Sequence, residues 1–391
     1  MLYTNYTEEL LGLKDISVKH VKRYDNRLCI HIEMHKKTHR CPRCGEWTSK
    51  VHDYRKQQIK DIPAFNEMTV IYLRKRRYVC SMCGKRFYET VPFLPRYHRI
   101  TNRLAAYVIK SLKEVRSMKS VSNLVNLSPP TVARIFDNVG YSNTSLPKVL
   151  SIDEFRGNAG GEKFQCIITD PEHRKVIDIL PNRKTEDMAE YFLGYKDRKA
   201  VQHVVIDMSE QFRSLARSLF PRAKIIADRY HVVRQVMWAF ENVRKAEQVK
   251  FYDSRRKYFK RNRRVLLKRP ENLTEEEAYQ IESMLRISER LRQAYFLKNE
   301  FHKLMDCKNR DDARKQLGIW NMLATGYNLP EFQACTKTFV NWSEEILNSF
   351  EYRFSNGFTE GVNNKIKVIK RNAFGIRDFK RFRNRILHVM S

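Results

Sequence analysis

The sequence lacks any apolar run of about 18 residues, the length a helix needs to cross a bilayer, and so offers no membrane span. Its first residues, MLYTNYTEELLGL, lack the basic-then-apolar pattern of an export leader. The chain is therefore expected in the reducing cytoplasm, where eight cysteines form no disulfide framework. Acidic residues are short against basic ones: 44 Asp+Glu face 75 Lys+Arg, a formal charge of +31. Such an excess attracts a polyanion at long range and points to nucleic acid rather than to a membrane or a small-molecule substrate. With 391 residues, 42% of them apolar and 12% aromatic, the chain is globular and long enough for several domains.

Four cysteines form two knuckles, Cys41-Pro42-Arg43-Cys44-Gly45 and Cys80-Ser81-Met82-Cys83-Gly84. A two-residue gap lets both thiolates of one tight turn reach a single tetrahedral Zn²⁺, and two such turns complete a structural site. The 35 intervening residues contain a strand-like run, 68–73, so a hairpin brings the knuckles together. His39, His52 and His98 are spare donors outside the set, and Cys29, Cys166, Cys307 and Cys335 are expected to pack as small apolar groups. Arg74, Arg76 and Arg77 lie on the same hairpin and are candidate phosphate contacts. A solvated basic face would have the same composition.

Residues 100–115 have helical apolar spacing, and 120–127 and 131–137 follow as two short helices, with Ser128 as cap and Pro129 and Pro130 in the first turn. This is helix-turn-helix patterning, with Thr131 and Arg134 facing DNA. From residue 148 the texture becomes β-β-β-α-β-α-β-α, the order of a ribonuclease-H-like fold, with strands at 148–155, 164–170, 176–180, 201–207 and 223–228. Thr185 is read as the cap of the first helix. Two strands end on Asp153 and Asp207. Neighbouring carboxylates repel unless a cation lies between them, and Mg²⁺ suits such an oxygen site. The third acid is open between Glu154, which alternates to the other face, Asp228, which is placed to cap the following helix, and Glu360. Glu360, Asn364, Lys367 and Arg371 share one helical face, and Lys365 and Lys367 suit phosphate.

The run CPRCG…CSMCGKRF, the helix pair, SIDEF, VVIDMS, ADRYHVVR and TEGVNNKIKVIKRNAFGIRDFKRFRNRI resembles the bacterial insertion-sequence DDE transposases of the ISL-three family over nearly the whole chain. The resemblance implies a catalytic triad Asp153, Asp207 and Glu360 holding two Mg²⁺ or Mn²⁺ ions, and an all-helical insertion before the Glu360 helix. It implies strand cleavage and strand transfer on terminal inverted repeats, a homodimer on double-stranded DNA, and a place in the bacterial cytoplasm with the nucleoid. The alternative is a non-catalytic zinc-containing DNA-binding regulator derived from a transposase.

The expected organisation is multidomain α+β. A zinc ribbon spans 1–98 and a helix-turn-helix 99–145. The ribonuclease-H-like core spans 146–240, the basic helical insertion 241–350, and the Glu360-bearing end of the core 351–391. Residues 250–269 hold ten Lys or Arg in twenty, with Tyr252, Tyr258 and Phe259 interleaved. Lys260, Arg261, Arg263 and Arg264 are its candidate DNA contacts. Trp320 and Trp342 are expected in the helical core.

Overall fold

The computed structural model describes residues 6–24, 26–373 and 375–391. The chain divides into two compact units, one of residues up to 141 with 368–376 and 384–389, the second of 142–367, 377–383 and 390–391.

The first unit opens with α1 (Tyr6–Leu11), β1 (Ile16–Tyr24), β2 (Arg27–Met34), the short pair β3 (His39–Arg40) and β4 (Trp47–Thr48), β5 (Val51–Lys60), β6 (Met68–Val79) and β7 (Arg86–Tyr88). The main sheet runs β1-β2-β6-β5, with β7 on β6. Strand alternation places Leu28, Ile30, Ile32, Ile59, Ile71 and Leu73 in one buried layer with Val91, Phe93 and Leu94. Then come α2 (Asn102–Leu112), α3 (Met118–Leu124) and α4 (Pro129–Phe136). Each is capped alike: Thr101, Ser117 and Ser128 accept the amides of Leu104, Ser120 and Thr131. Leu104, Val108, Leu112, Val121, Val132 and Phe136 form the helix-turn-helix core. The first of these helices ends short of the expected residue 115, because Val115 takes a left-handed φ of 44° that cannot continue a right-handed helix.

The second unit is built on β8 (Val149–Phe155), β9 (Gln165–Asp170), β10 (Lys175–Leu180), β11 (His203–Ile206) and β12 (Lys224–Ala227), in the order β10-β9-β8-β11-β12. β8, β11 and β12 are parallel, while β9 and β10 return antiparallel. Their helices are α5 (Thr185–Leu193), α6 (Glu210–Leu219) and α7 (Arg229–Val249). This is the ribonuclease-H-like core. The α5 cap position belongs to Lys184, not to Thr185, whose hydroxyl lies inside the helix and accepts from Gln211 Nε2 at 3.1 Å.

Helices alone fill the next hundred residues: α8 (Asp253–Arg261), α9 (Arg263–Leu267), α10 (Glu275–Ile287), α11 (Glu289–Met305), α12 (Arg310–Gly326), α13 (Pro330–Asn341) and α14 (Ser343–Tyr352). Their apolar faces join the core that begins under the sheet. Trp320 and Trp342 are buried in it, the first donating Nε1–H to Leu297 O at 2.9 Å. The chain ends with α15 (Gly357–Asn372) and α16 (Phe379–Met390).

Candidate functional site

The cysteine cluster is made by two copies of one turn. Cys41 N–H donates to Glu46 O (2.8 Å) and Gly45 N–H to Cys41 O (3.0 Å); Cys80 N–H donates to Lys85 O and Gly84 N–H to Cys80 O, both at 3.0 Å. Gly45 and Gly84 have φ of 77° and 68°, where a side chain would strain the backbone. The turns place Cys41 Sγ 3.5 Å from Cys83 Sγ, and Cys44 Sγ 3.5 Å from Cys80 Sγ. A tetrahedron with Zn–S of about 2.3 Å has S···S edges of about 3.8 Å, so the four sulfurs fit structural zinc. The amides of Cys44 and Arg43 favour the Cys41 thiolate and lower its pKa to about 6. The Glu46 amide does the same for Cys44, but the Cys80, Cys83 and Cys41 sulfurs outweigh it and push Cys44 up to about 12. Four sulfurs that cannot all ionise beside one another are what a dication resolves.

The acid cluster is made by strand register. Ile152 pairs with Ile206, and Ile206 with Ala227, across three parallel strands. The next residue on each is an aspartate: Asp153, Asp207 and Asp228. Three carboxylates thus stand in a row at the C-terminal edge of the sheet.

Helix α15 brings Glu360 to this edge through a buried polar latch. Thr359 Oγ1 bonds Ser151 Oγ at 2.9 Å and Thr169 Oγ1 at 2.8 Å, and Asn356 Oδ1 accepts from Ser151 Oγ. Asn363 Nδ2 donates to Asp153 Oδ2 at 2.9 Å. Ligand atoms of Glu360, Asp228 and His231 all lie within 4.8 Å of one another. Asp153 and Asp207 stand outside that tight group but share its field. Burial, reinforced by the charges of Asp207 and Asp228, raises Asp153 to about 6. Burial also raises Asp207, with Glu154 and Asp228 adding to it, and raises Glu360, with Asp228 adding to it. His231 and Arg234 oppose the shift at both. Asp207 Oδ1 is buried without a hydrogen-bond partner. An orphaned anionic oxygen among carboxylates held above their usual range fits a hard divalent cation.

Asp228 differs from its expected role. It occupies the cap position of α7 but makes no capping bond. Its Oδ2 lies 2.8 Å from His231 Nδ1, and its Oδ1 accepts Asn356 N–H at 3.2 Å. Glu154 pairs with Arg183, while its charge still reaches Asp207. His231, Arg234, Asn356 and Asn363 carry no spacing signal and were invisible without the topology. Arg234 is one of a series on α7: its guanidinium lies 4.8 Å from the Trp238 ring centroid and 5.8 Å from that of Tyr230, and both rings are half exposed.

The basic residues sort by burial. Thr131 and Arg134 lie on α4, and Arg134 is exposed, with Nη2 3.3 Å from Thr131 Oγ1. Arg74 is exposed but paired with Glu33 at 2.8 Å. Arg77 is held by Asp53 at 2.5 Å. Arg76 is buried between Glu33 (3.0 Å) and Glu89 (3.4 Å) and donates to Met34 O, so its place is structural rather than at a DNA surface. Lys260, Arg261 and Arg264 are exposed, and Arg263 pairs with Glu241 at 3.0 Å. Phe259 is buried against Phe251 and cannot stack on a base, whereas Tyr252 is 94% exposed. Asn364, Lys365, Lys367 and Arg371 are exposed on α15, and Lys367 Nζ lies 3.1 Å from Asn364 Oδ1.

A four-thiol ribbon, a helix-turn-helix and an acid-edged ribonuclease-H-like sheet with a helical insertion define a multidomain DNA-acting protein. Comparison with known families makes the class specific. Residues 150–386 match the family described as transposase, 89–140 the helix-turn-helix domain of transposase family ISL3, and 37–83 the zinc finger of the IS204/IS1001/IS1096/IS1165 transposases. The chain therefore belongs to transposase family ISL3 and is a DNA transposase. It is 27% identical over 398 aligned residues to the transposase for insertion sequence element IS1001 of Bordetella parapertussis, covering 98% of this chain and 97% of that one. It is 22% identical over 243 residues to the transposase for element IS1557 of Mycobacterium tuberculosis, covering 55% of this chain and 54% of that one. A shorter match, 36% over 108 residues, is to a Lactococcus lactis protein named ATP-dependent protease, and covers 27% of this chain and 33% of that one. No helix among the described residues is long and apolar enough to cross a membrane.

Proposed function

We propose that Asp153, Asp207 and Glu360 hold two divalent ions, Mg²⁺ or Mn²⁺, and that the chain cleaves DNA strands at the element's terminal inverted repeats and transfers them to a target. When bound, the ions supply an activated water or 3′-OH and stabilise the leaving oxygen. The observation that carries this reading is the register-matched edge, where the orphaned Oδ1 of Asp207 lies beside carboxylates that are buried and raised. Asp153 would be one of the holding carboxylates and is oriented by Asn363. Glu360 supplies the third carboxylate, and no hydrogen bond engages it among the described residues. Asp228 acts differently: both its oxygens are committed, to His231 and to the Asn356 amide, so it is a positioning residue that fixes the start of α15. Arg234 sets a positive charge near Asp207 and Glu360, where a phosphate would enter.

Thr131 and Arg134 read or grip the repeat, and Lys260, Arg261, Arg264, Lys365 and Lys367 contact phosphates. Two ends must be joined, so a homodimer on DNA is the working assembly. The test is strand cleavage of end-containing duplex by Asp207→Asn protein in Mg²⁺. The reading requires loss of at least about 1000-fold, the scale of a lost essential electrostatic group; undiminished cleavage removes Asp207 from the chemistry.

A further inference from the structure

The open face of the first unit's sheet carries a row that the catalytic reading does not use. His20 on β1 is opposite His31 on β2, His31 is opposite Tyr72 on β6, and Tyr72 is opposite Gln58 on β5. The three rings stack face to face, 4.0 Å apart at 24° and then 4.8 Å apart at 12°. By the two-residue period of the strands, Lys22 and Lys60 flank this row on one side, and Arg74 and Lys56 on the other. The opposite face is the buried apolar layer. Among the described strand residues of the polar face the one carboxylate is Glu33, which is buried and taken up by Arg74 and Arg76. The face is therefore net positive, and no carboxylate pairs with the exposed Lys22 or Lys56 among the described residues.

Two features select the partner. Both ring faces of His31 are covered, by His20 and by Tyr72, so the middle of the row cannot take a base between rings. What it presents outward are ring edges, a hydroxyl, an amide and ammonium groups, which donate to phosphate and sugar oxygens. Three strand gaps of about 4.8 Å make the row about 15 Å long, the axial length of roughly four phosphates of one strand. The face is also continuous with the DNA-binding helix. Gln58 and Lys60 line the same 720 Å³ cavity as Ser128, Thr131 and Arg134 of the helix-turn-helix. Lys60 Nζ donates to Asn126 O at 2.7 Å, and its backbone N–H and C=O bond Arg99 O and Thr101 N–H, so sheet and helix pair are fixed to each other within this unit.

We propose that this polar sheet face is a second DNA-docking surface, which takes the backbone of the duplex flanking the segment held by α4, with Lys22 and Lys56 as phosphate contacts and Gln58 at the junction. The proposal rests on the DNA-binding helix-turn-helix and not on the catalytic reading, so it is tested by binding alone, without added divalent metal. The full chain and its Lys22→Glu/Lys56→Glu variant are titrated with a random-sequence 30-base-pair duplex over a range of salt. Lys315→Glu/Lys337→Glu, exposed positions in the second unit, serves as a control with the same change in net charge.

The sheet-face variant is expected to bind at least about tenfold more weakly than the control variant and to show a salt slope shallower by about 2, the loss of two phosphate contacts. Gln58→Glu is expected to weaken binding in the same direction. On DNA carrying the element end, protection is expected to shorten on one side while the segment under α4 stays covered. Loss no greater than in the control, an unchanged salt slope, or equal binding of a single-stranded oligonucleotide by the intact chain would overturn the proposal.

Discussion

The two clusters of like-charged ligands in this chain are built in opposite ways. The four cysteines are brought together by two copies of one turn, each set by its own local hydrogen bonds. The acids come from three strands and a helix: sheet register sets Asp153, Asp207 and Asp228 in a row, and a buried latch of Ser151, Thr169, Asn356 and Thr359 holds the helix whose Glu360 joins Asp228 and His231. The first cluster stabilises its fold once metal binds. The second costs stability wherever its acids are ionised, because burial and neighbouring carboxylates hold Asp153, Asp207 and Glu360 above their usual range.

The largest expected effect separates the two by metal removal. Stripping zinc, or replacing Cys44 with Ser, should remove on the order of 10 kcal/mol of binding-coupled folding from the ribbon. Thermal unfolding and zinc content of the purified chain measure this, and an unchanged melting profile in a zinc-free chain would erase the contrast. Asp207→Asn should do the reverse, cutting strand cleavage by about 1000-fold while the chain melts no lower than the parent.

The next effect is a pH-dependent gain. Asp153 is raised from 3.8 to about 6, so its contribution favours the metal-free fold below pH 3.8 and is lost as pH rises through about 6. At pH 7.5 Asp153→Asn should therefore stabilise the metal-free protein, by up to about 3 kcal/mol, and the gain should vanish near pH 4. Urea unfolding at the two pH values measures the difference. In the parent, metal-dependent cleavage should fall as pH drops through about 6, since the protonated carboxyl is a poorer ligand. The smallest effect concerns Arg234: Arg234→Ala should lower cleavage by about tenfold with little change in melting, the loss of one positioned cation.

These contrasts also explain what was legible in the sequence. The cysteine turns were readable because their chemistry is written in consecutive residues, with the glycines that the turns need. The helix pair was readable from Ser128 and two prolines, which act within one turn. The ribonuclease-H-like order of strands was readable because β8, β11 and β12 are apolar runs that stop on acids. The neighbourhood of those acids was not. Asp228 resembled a helix cap because it sits at the cap position, and only the register of β11 with β12 puts it in the row with Asp207. Arg76 resembled its neighbours in a basic run, yet strand alternation turns it to Glu33 and Glu89. Phe259 resembled a stacking residue until helix packing buried it. In each case the missing information was which way a side chain faces, which a single stretch of chain does not specify.

The most direct test of the acid edge is to locate Mn²⁺ by anomalous scattering in crystals of the full chain bound to end-containing DNA. Density between Asp153, Asp207 and Glu360, with Asp228 still bonded to His231, is the predicted result. Metal bound instead by Asp228 and His231, with Asp207 Oδ1 left uncoordinated, would contradict it.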